Sequence, residues 1–134
     1  MNRLTICVLL LIVACHAVAP RGDEMRIALH ARATTAPTTI VFDVINAGRT
    51  TASLDLCQGH IAPYIEIFQS GSWAQVLVPT CSFPIAPSVL LAPGQSVSDS
   101  VRFDTPGVFR LRVGYGRPPS RVLYLAFSDS VILH

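Results

Sequence analysis

The chain has 134 residues and a mass of 14.4 kDa, which suits one domain of ordinary size and leaves no room for several. Hydrophobic residues make up 51% and charged residues 13%, a balance that excludes intrinsic disorder and predicts a packed core. The ten basic residues are all arginine and eight acids nearly balance them, so a formal charge of +2 excludes a nucleic-acid-binding surface.

The N-terminal segment has the pattern of an export signal. Arg3 is followed by an apolar stretch from Val8 to Val13 and then by small residues. The whole apolar run is about 16 residues long, which is short for a membrane-spanning helix of ~20 residues. We therefore predict a cleaved signal peptide that lies apart from the domain as a helix.

Residues Ile12, Val13, Ala14 and Cys15 resemble the lipobox of bacterial lipoproteins, whose cysteine is acylated and becomes the first residue of the mature protein. The resemblance implies a signal peptide over residues 1–14, a lipidated Cys15 with a tether over 15–24, and a domain over 25–134. It also implies localisation to the bacterial cell envelope, with the protein anchored to a membrane by its N-terminal lipid and facing the periplasm or the exterior. The alternative is cleavage after Ala17, which would leave a secreted protein.

From Met25 onward, apolar residues recur mostly at every second position in short runs, the period of a β-strand with one face on a core. Ten prolines spread along the chain exclude long helices. The predicted strands cover residues 25–30, 38–45, 50–56, 64–69, 73–78, 96–103, 108–115 and 121–127, followed by a short apolar end at 131–133.

Turn residues separate these runs. Asn46 to Gly48 predicts a turn, and Ser70 with Gly71 predicts a hairpin between the fourth and fifth strands. Pro93 followed by Gly94 has the order that a type II turn prefers, and Pro106 with Gly107 repeats it.

Alternation within the runs predicts which side chains face the core. Glu66, Arg110 and Arg112 should face outward. Asp99 falls on the same face of its predicted strand as the apolar Val97 and Val101. We expect a β-bulge that turns its carboxylate to solvent. The predicted core residues are Ile40, Phe42, Val44, Ile65, Ile67, Val101, Phe103, Phe109, Leu111 and Val113.

Cys57 and Cys81 are expected to form a disulfide, since an exported protein folds in an oxidising compartment. The bridge would close a loop of about 25 residues, worth about 3.5 kcal/mol by chain-entropy arithmetic. The alternative is a zinc site that uses Cys57, His60 and Cys81, for which no fourth ligand is evident. The bridge would hold residues 58–63 and 82–90 at one end of the fold, which we predict to be an interaction surface.

Short strands, tight turns and a cysteine pair predict an all-β protein, an antiparallel sandwich of about seven to nine strands. Landmark residues follow in the order Phe42, Val44, Asn46, Cys57, Pro63, Ile65, Glu66, Gly71, Trp73, Cys81, Leu91, Pro93, Gly94, Gly107, Phe109, Arg110 and Leu111. This order resembles that of the immunoglobulin-like domains of bacterial envelope lipoproteins. The resemblance implies a non-enzymatic domain that presents loops or a sheet edge to a protein or cell-wall partner.

No spacing in the chain is typical of a nucleophile with its base, a metalloprotease histidine pair or a phosphate-binding loop. We therefore predict no enzyme, no catalytic residue, no cofactor and no metal. The alternative function is a proteinase inhibitor on the same scaffold. Arg117 and Pro118 resemble the Arg-Pro loop of chagasin-like inhibitors, although Pro119 stands where an aromatic residue should follow.

Overall fold

The structure, a computed structural model, describes residues 25–34, 39–81, 88–118 and 124–134. The predicted signal peptide, Cys15 and the tether lie outside these residues. Within the described ranges no helix is long and apolar enough to cross a membrane. The described elements are β1 (Ile27–Ala33), β2 (Thr39–Asn46), β3 (Ala52–Cys57), β4 (His60–Ile61), β5 (Tyr64–Gln69), β6 (Ser72–Leu77), β7 (Ser88–Leu91), β8 (Ser96–Arg102), β9 (Gly107–Tyr115), β10 (Tyr124–Phe127) and β11 (Val131–Leu133).

Two main sheets face each other. The first has the order β1-β2-β8, and the second has the order β10-β9-β5-β6 with β11 also paired to β9. All of these pairings are antiparallel. A short third sheet, β4-β3-β7, is joined to the end of β9 because Ser53 and Gly116 exchange backbone hydrogen bonds of 2.8 and 2.9 Å.

This strand order is that of an immunoglobulin-like sandwich. In chain order, β1, β2 and β8 correspond to strands A, B and E, while β5, β6, β9 and β10 correspond to C, C′, F and G. The predicted immunoglobulin-like antiparallel β-sandwich is therefore confirmed. The described residues form eleven strand segments instead of seven to nine, since β4 and β7 are short additions that apolar alternation did not predict.

The core lies between the two main sheets and is made by one face of each. Eight of the ten predicted core residues are buried, and Val101 and Phe103 pack against them partly buried. Phe103 meets the buried Phe109 edge to face, with ring centroids 4.9 Å apart. Strand register was thus correctly predicted wherever alternation was strict.

Two tight hairpin turns fix neighbouring strands. Ser70 and Gly71 both have positive φ, 51° and 81°, as a type I′ turn requires between the paired residues Gln69 and Ser72. Gln58 and Gly59 adopt the same conformation between β3 and β4. The short spacing from Cys57 to His60 is therefore that of a hairpin.

The two Pro-Gly pairs behave differently. Gly94 has a φ of 79°, and Gln95 N–H donates to the Ala92 carbonyl at 3.0 Å, so the predicted type II turn forms. The predicted repeat at Pro106 and Gly107 is wrong, because Gly107 is the first residue of β9, with a φ of 148°, and pairs with Leu133.

Asn46 joins the end of β2 to the turns around it. It is fully buried, and its side-chain amide donates to the Thr50 and Leu91 carbonyls, each at 2.8 Å. Its side-chain oxygen accepts from Gly48 N–H at 3.0 Å, which closes the predicted turn. One side chain therefore connects β2, the following turn and β7.

The last predicted strand and the short apolar end that follows it are separated by a break in pairing. Phe127 pairs with Arg112, but Val131 pairs with Phe109, so one extra residue is accommodated between β10 and β11. The Ser128 hydroxyl accepts from Leu111 N–H at 2.9 Å, and Ser128 N–H donates to the Leu111 carbonyl. This strand is thus an edge with a shifted register.

Candidate protein-binding face

The predicted disulfide between Cys57 and Cys81 is present, with Cα atoms 5.4 Å apart. It ties the end of β3 to the segment after β6. Both sulfurs are bonded to each other, which leaves no thiolate for the alternative zinc site. No group of three or more His, Cys, Asp or Glu side chains in the described part of the chain could hold a metal ion.

Beside this bridge, Asp99 holds the turn of β4. Its carboxylate accepts Ile61 N–H at 2.8 Å and lies 3.3 Å from Nδ1 of the exposed His60. The expected bulge at Asp99 is wrong, because β8 pairs with β2 in unbroken register and Asp99 lies opposite the buried Phe42. The carboxylate tolerates this position because backbone N–H groups satisfy it.

The outward surface of the second sheet carries large apolar and aromatic side chains around two arginines, unlike a sheet face that only contacts water. We call it the arginine face, and it consists of Tyr64, Glu66, Phe68, Trp73, Gln75, Arg110, Arg112, Leu125 and Phe127. Phe68, Leu125 and Phe127 are 44 to 46% exposed. Large apolar side chains that crowd one outward face are typical of an interaction site.

Glu66 lies at the centre of the arginine face and is only 7% exposed. It faces outward as predicted, yet neighbouring side chains cover it. Arg110 Nε donates to Glu66 Oε2 at 2.5 Å, and Arg112 lies 3.4 Å from the other carboxylate oxygen. Two arginines on β9 thus share one glutamate on β5, which leaves one positive charge in excess.

Aromatic rings frame both guanidinium groups. The Arg110 guanidinium carbon lies 4.5 Å from the Trp73 ring centroid and 4.7 Å from that of Phe127. Arg112 lies 4.6 Å from the Tyr64 ring. Cation–π contact favours a planar guanidinium over such rings and holds it in one orientation.

The terminal nitrogens of the two arginines have different surroundings. Arg112 donates to the Gln75 side-chain oxygen at 2.6 Å, and its buried Nε has no hydrogen-bond partner in the described structure. Arg110 uses Nε for Glu66, and its terminal nitrogens make no hydrogen bond to the described residues. The terminal nitrogens of Arg110 are thus hydrogen-bond donors that a bound partner can use.

The outward surface of the first sheet provides the contrast, since serines and paired charges lie beside its half-buried apolar residues Val41 and Ile45. Asp43 accepts from Ser98 and forms an ion pair with Arg32 at 2.8 Å. The Ser98 hydroxyl, followed by the Arg32 guanidinium, holds the pKa of Asp43 below its ordinary value of 3.8. None of the exposed large hydrophobic residues lies on the described β1, β2 or β8.

Alternation in the sequence predicted the outward direction of Glu66, Arg110 and Arg112 but not their association. Glu66 and Arg110 are 44 residues apart and meet only through the pairing of β5 with β9. Among the candidate residues for an inhibitor loop, Arg117 and Pro118 are exposed, whereas Pro119 lies outside the described residues.

No family model matches the chain, and no curated protein matches it. Among solved structures it is similar to Northeast Structural Genomics Consortium target SoR45, with 14% identity, a TM-score of 0.39, and coverage of 80% of this chain and 83% of that one. It is also similar to the ASH/PapD-like domain of human CEP192 (PapD-like domain 7), with 19% identity, a TM-score of 0.38, and coverage of 86% and 88%. The assignment of the fold therefore depends on the strand order of this chain.

Proposed function

We propose that this protein is a non-enzymatic lipoprotein domain of the bacterial cell envelope that binds a protein partner through its arginine face. An acylated Cys15 anchors it to a membrane, and the domain faces the periplasm or the exterior. The lipobox resemblance supports the anchor. The Cys57–Cys81 bridge supports export, because disulfides persist in oxidising compartments.

The observation that carries the binding proposal is the setting of Arg110. Its guanidinium is held between Trp73 and Phe127 with its terminal nitrogens unpartnered by described residues. Arginine, tryptophan and tyrosine dominate the residues that contribute most to protein–protein binding. Because the rings already fix the guanidinium, little side-chain entropy is lost when a partner binds.

The charge of this cluster indicates the chemistry of the partner. Arg110 and Arg112 exceed Glu66 by one positive charge, and exposed Phe68, Leu125 and Phe127 surround the cluster. A complementary surface offers a carboxylate that accepts from the Arg110 terminal nitrogens, with apolar side chains around it. The partner is therefore a protein with an Asp or Glu set among apolar residues.

The test compares full-length variants purified from cross-linked membranes. Arg110→Gln and Phe127→Ser should each lose the co-purifying protein, and the second variant leaves the Glu66 ion pairs in place. Arg102→Gln, a change to an exposed arginine of the first sheet, is the matched control and should retain it. Recovery of the same protein at equal yield with all three variants would overturn the proposal.

A further inference from the structure

Strand β6 is a terminal strand of the second sheet in the described structure, and it lacks the charges and prolines that usually keep sheet edges apart. Its sequence, SWAQVL, has no charged residue and no proline, and no charge occurs from Ile67 to Ser98. Natural edge strands are usually protected by charges, prolines, bulges or a covering segment. β6 is therefore suited to pairing with another strand.

The other terminal strands of the two main sheets carry such protection. In the first sheet, β1 bears Arg32 and β8 bears Asp99 and Arg102. In the second sheet, the edge opposite β6 is broken between β10 and β11 near Asp129. β6 carries no charge, and its pairing with β5 is unbroken from Ser72 to Gln75, before the irregularity at Val76.

The hairpin register determines which backbone groups β6 presents to its open edge. A two-residue type I′ turn makes Gln69 and Ser72 a hydrogen-bonded pair, and such pairs alternate along an antiparallel ladder. The N–H and C=O groups of Trp73 and Gln75 therefore point away from β5. Beyond Gln75 the register shifts, since Ile65 pairs with Leu77.

These two residues are arranged for self-pairing. Suppose that β6 of a second copy runs antiparallel to the first, related to it by a two-fold axis between the two Ala74 residues. Trp73 of each copy then lies opposite Gln75 of the other. Each of these is a hydrogen-bonded pair, so four backbone bonds form with no like charges opposed. An isologous contact of this kind closes after two copies.

We propose that two copies of this protein associate through β6 to form one continuous sheet with the two-fold axis at Ala74. The arginine faces of both copies then lie on the same side, with Trp73 of each next to Gln75 of the other. Anchoring concentrates copies on one membrane surface, which favours a contact of modest area. This association goes beyond the proposed binding function and does not depend on its partner.

The test introduces one cysteine at the axis of the full-length protein in its membrane. The two Ala74 residues would form a pair without hydrogen bonds, and the Cα atoms of such a pair lie ~4.5 Å apart, within disulfide range. Mild oxidation of Ala74→Cys should therefore give a covalent dimer on a non-reducing gel. Ile132→Cys, at an exposed position of β11, and the unmodified protein are controls that should remain monomeric.

Variants at Gln75 then distinguish backbone pairing of two β6 strands from mere closeness of two copies on the membrane. Gln75→Pro and Gln75→Ala both lose the side-chain bond to Arg112, so the two variants should have similar thermal unfolding midpoints. Gln75→Pro also removes an N–H that points away from β5, and the Ala74→Cys cross-link should then be lost. Gln75→Ala keeps that N–H and should retain the cross-link. Cross-linking unaffected by Gln75→Pro, no cross-link at Ala74→Cys, or an adduct with a different protein would each overturn the proposal.

Discussion

Asn46 shows how one buried side chain organises several segments of backbone. Its side-chain amide donates to the Thr50 and Leu91 carbonyls, and its side-chain oxygen accepts from Gly48 N–H. Its full burial means that water does not replace these bonds readily when the amide is removed.

We expect Asn46→Ala to lower the free energy of unfolding by about 2–4 kcal/mol, since buried backbone groups lose their partners. Urea denaturation measures this loss. Gln95→Ala, which removes only an exposed bond to Ala92 N–H, is the control and should cost less than about 1 kcal/mol. Equal effects of the two substitutions would contradict the role given to Asn46.

Asp43 gives the outward surface of the first sheet its dependence on pH. Because its pKa is lowered in the folded protein, its contribution to stability is complete above the ordinary value of 3.8 and is lost as the pH falls through the lowered value. Ser98→Ala should move the Asp43 pKa upward, measured by NMR titration of the carboxyl carbon. Ser100→Ala, at a neighbouring outward position, should leave it in place. An unchanged pKa in Ser98→Ala would assign the effect to Arg32 alone.

At the scale of elements, the sequence predicted strands best where one face is buried and the other is solvated. The run 108–115 alternates strictly, and β9 occupies Gly107–Tyr115 with its apolar residues inward. β4 and β7 were missed because two and four residues are too short to show a period. Their positions depend on pairing with β3, a long-range feature.

The arginine face could not be predicted from the sequence for a related reason. Alternation correctly placed Arg110 and Arg112 outward, where arginines usually indicate a solvated surface. Their burial against Glu66 and Trp73 depends on the register of three strands. At Asp99, the predicted bulge failed because the N–H of Ile61, 38 residues away, satisfies the carboxylate.

The β5–β6 hairpin depends on its turn. Gly71→Val should destabilise the domain by about 1–2 kcal/mol, because a β-branched residue disfavours the positive φ of this position. No other atom lies within 4 Å of an added Cβ, so the cost is conformational. Ser70→Asn, which creates the preferred Asn-Gly turn, should be neutral or slightly stabilising in the same denaturation experiment. A neutral Gly71→Val would contradict the type I′ turn.

At the scale of the whole molecule, the proposed anchor and the proposed binding face have separate roles. Two or three acyl chains on Cys15 would hold the domain stably on a membrane, whereas one chain binds only marginally. Cys15→Ala should therefore leave the protein uncleaved or released from membranes, as measured by fractionation. Metabolic labelling with a fatty acid should mark the unmodified protein but not the variant. An unlabelled wild-type protein would contradict the anchor and leave the fold unaffected.

The two outward surfaces of the sandwich differ in what they offer a partner. The first sheet presents serines and the satisfied pair of Arg32 and Asp43. The second presents exposed aromatic rings around Arg110. A binding module of this design should engage its partner through the second sheet alone.

Site-specific photo-cross-linking in the native membrane tests this claim most directly. A benzophenone side chain placed at Phe127 samples the arginine face, and one placed at Ser98 samples the outward surface of the first sheet. We predict one defined protein adduct from position 127, lost when Arg110→Gln is added, and none from position 98. The same adduct from both positions, or an adduct from position 98 alone, would contradict binding through the second sheet.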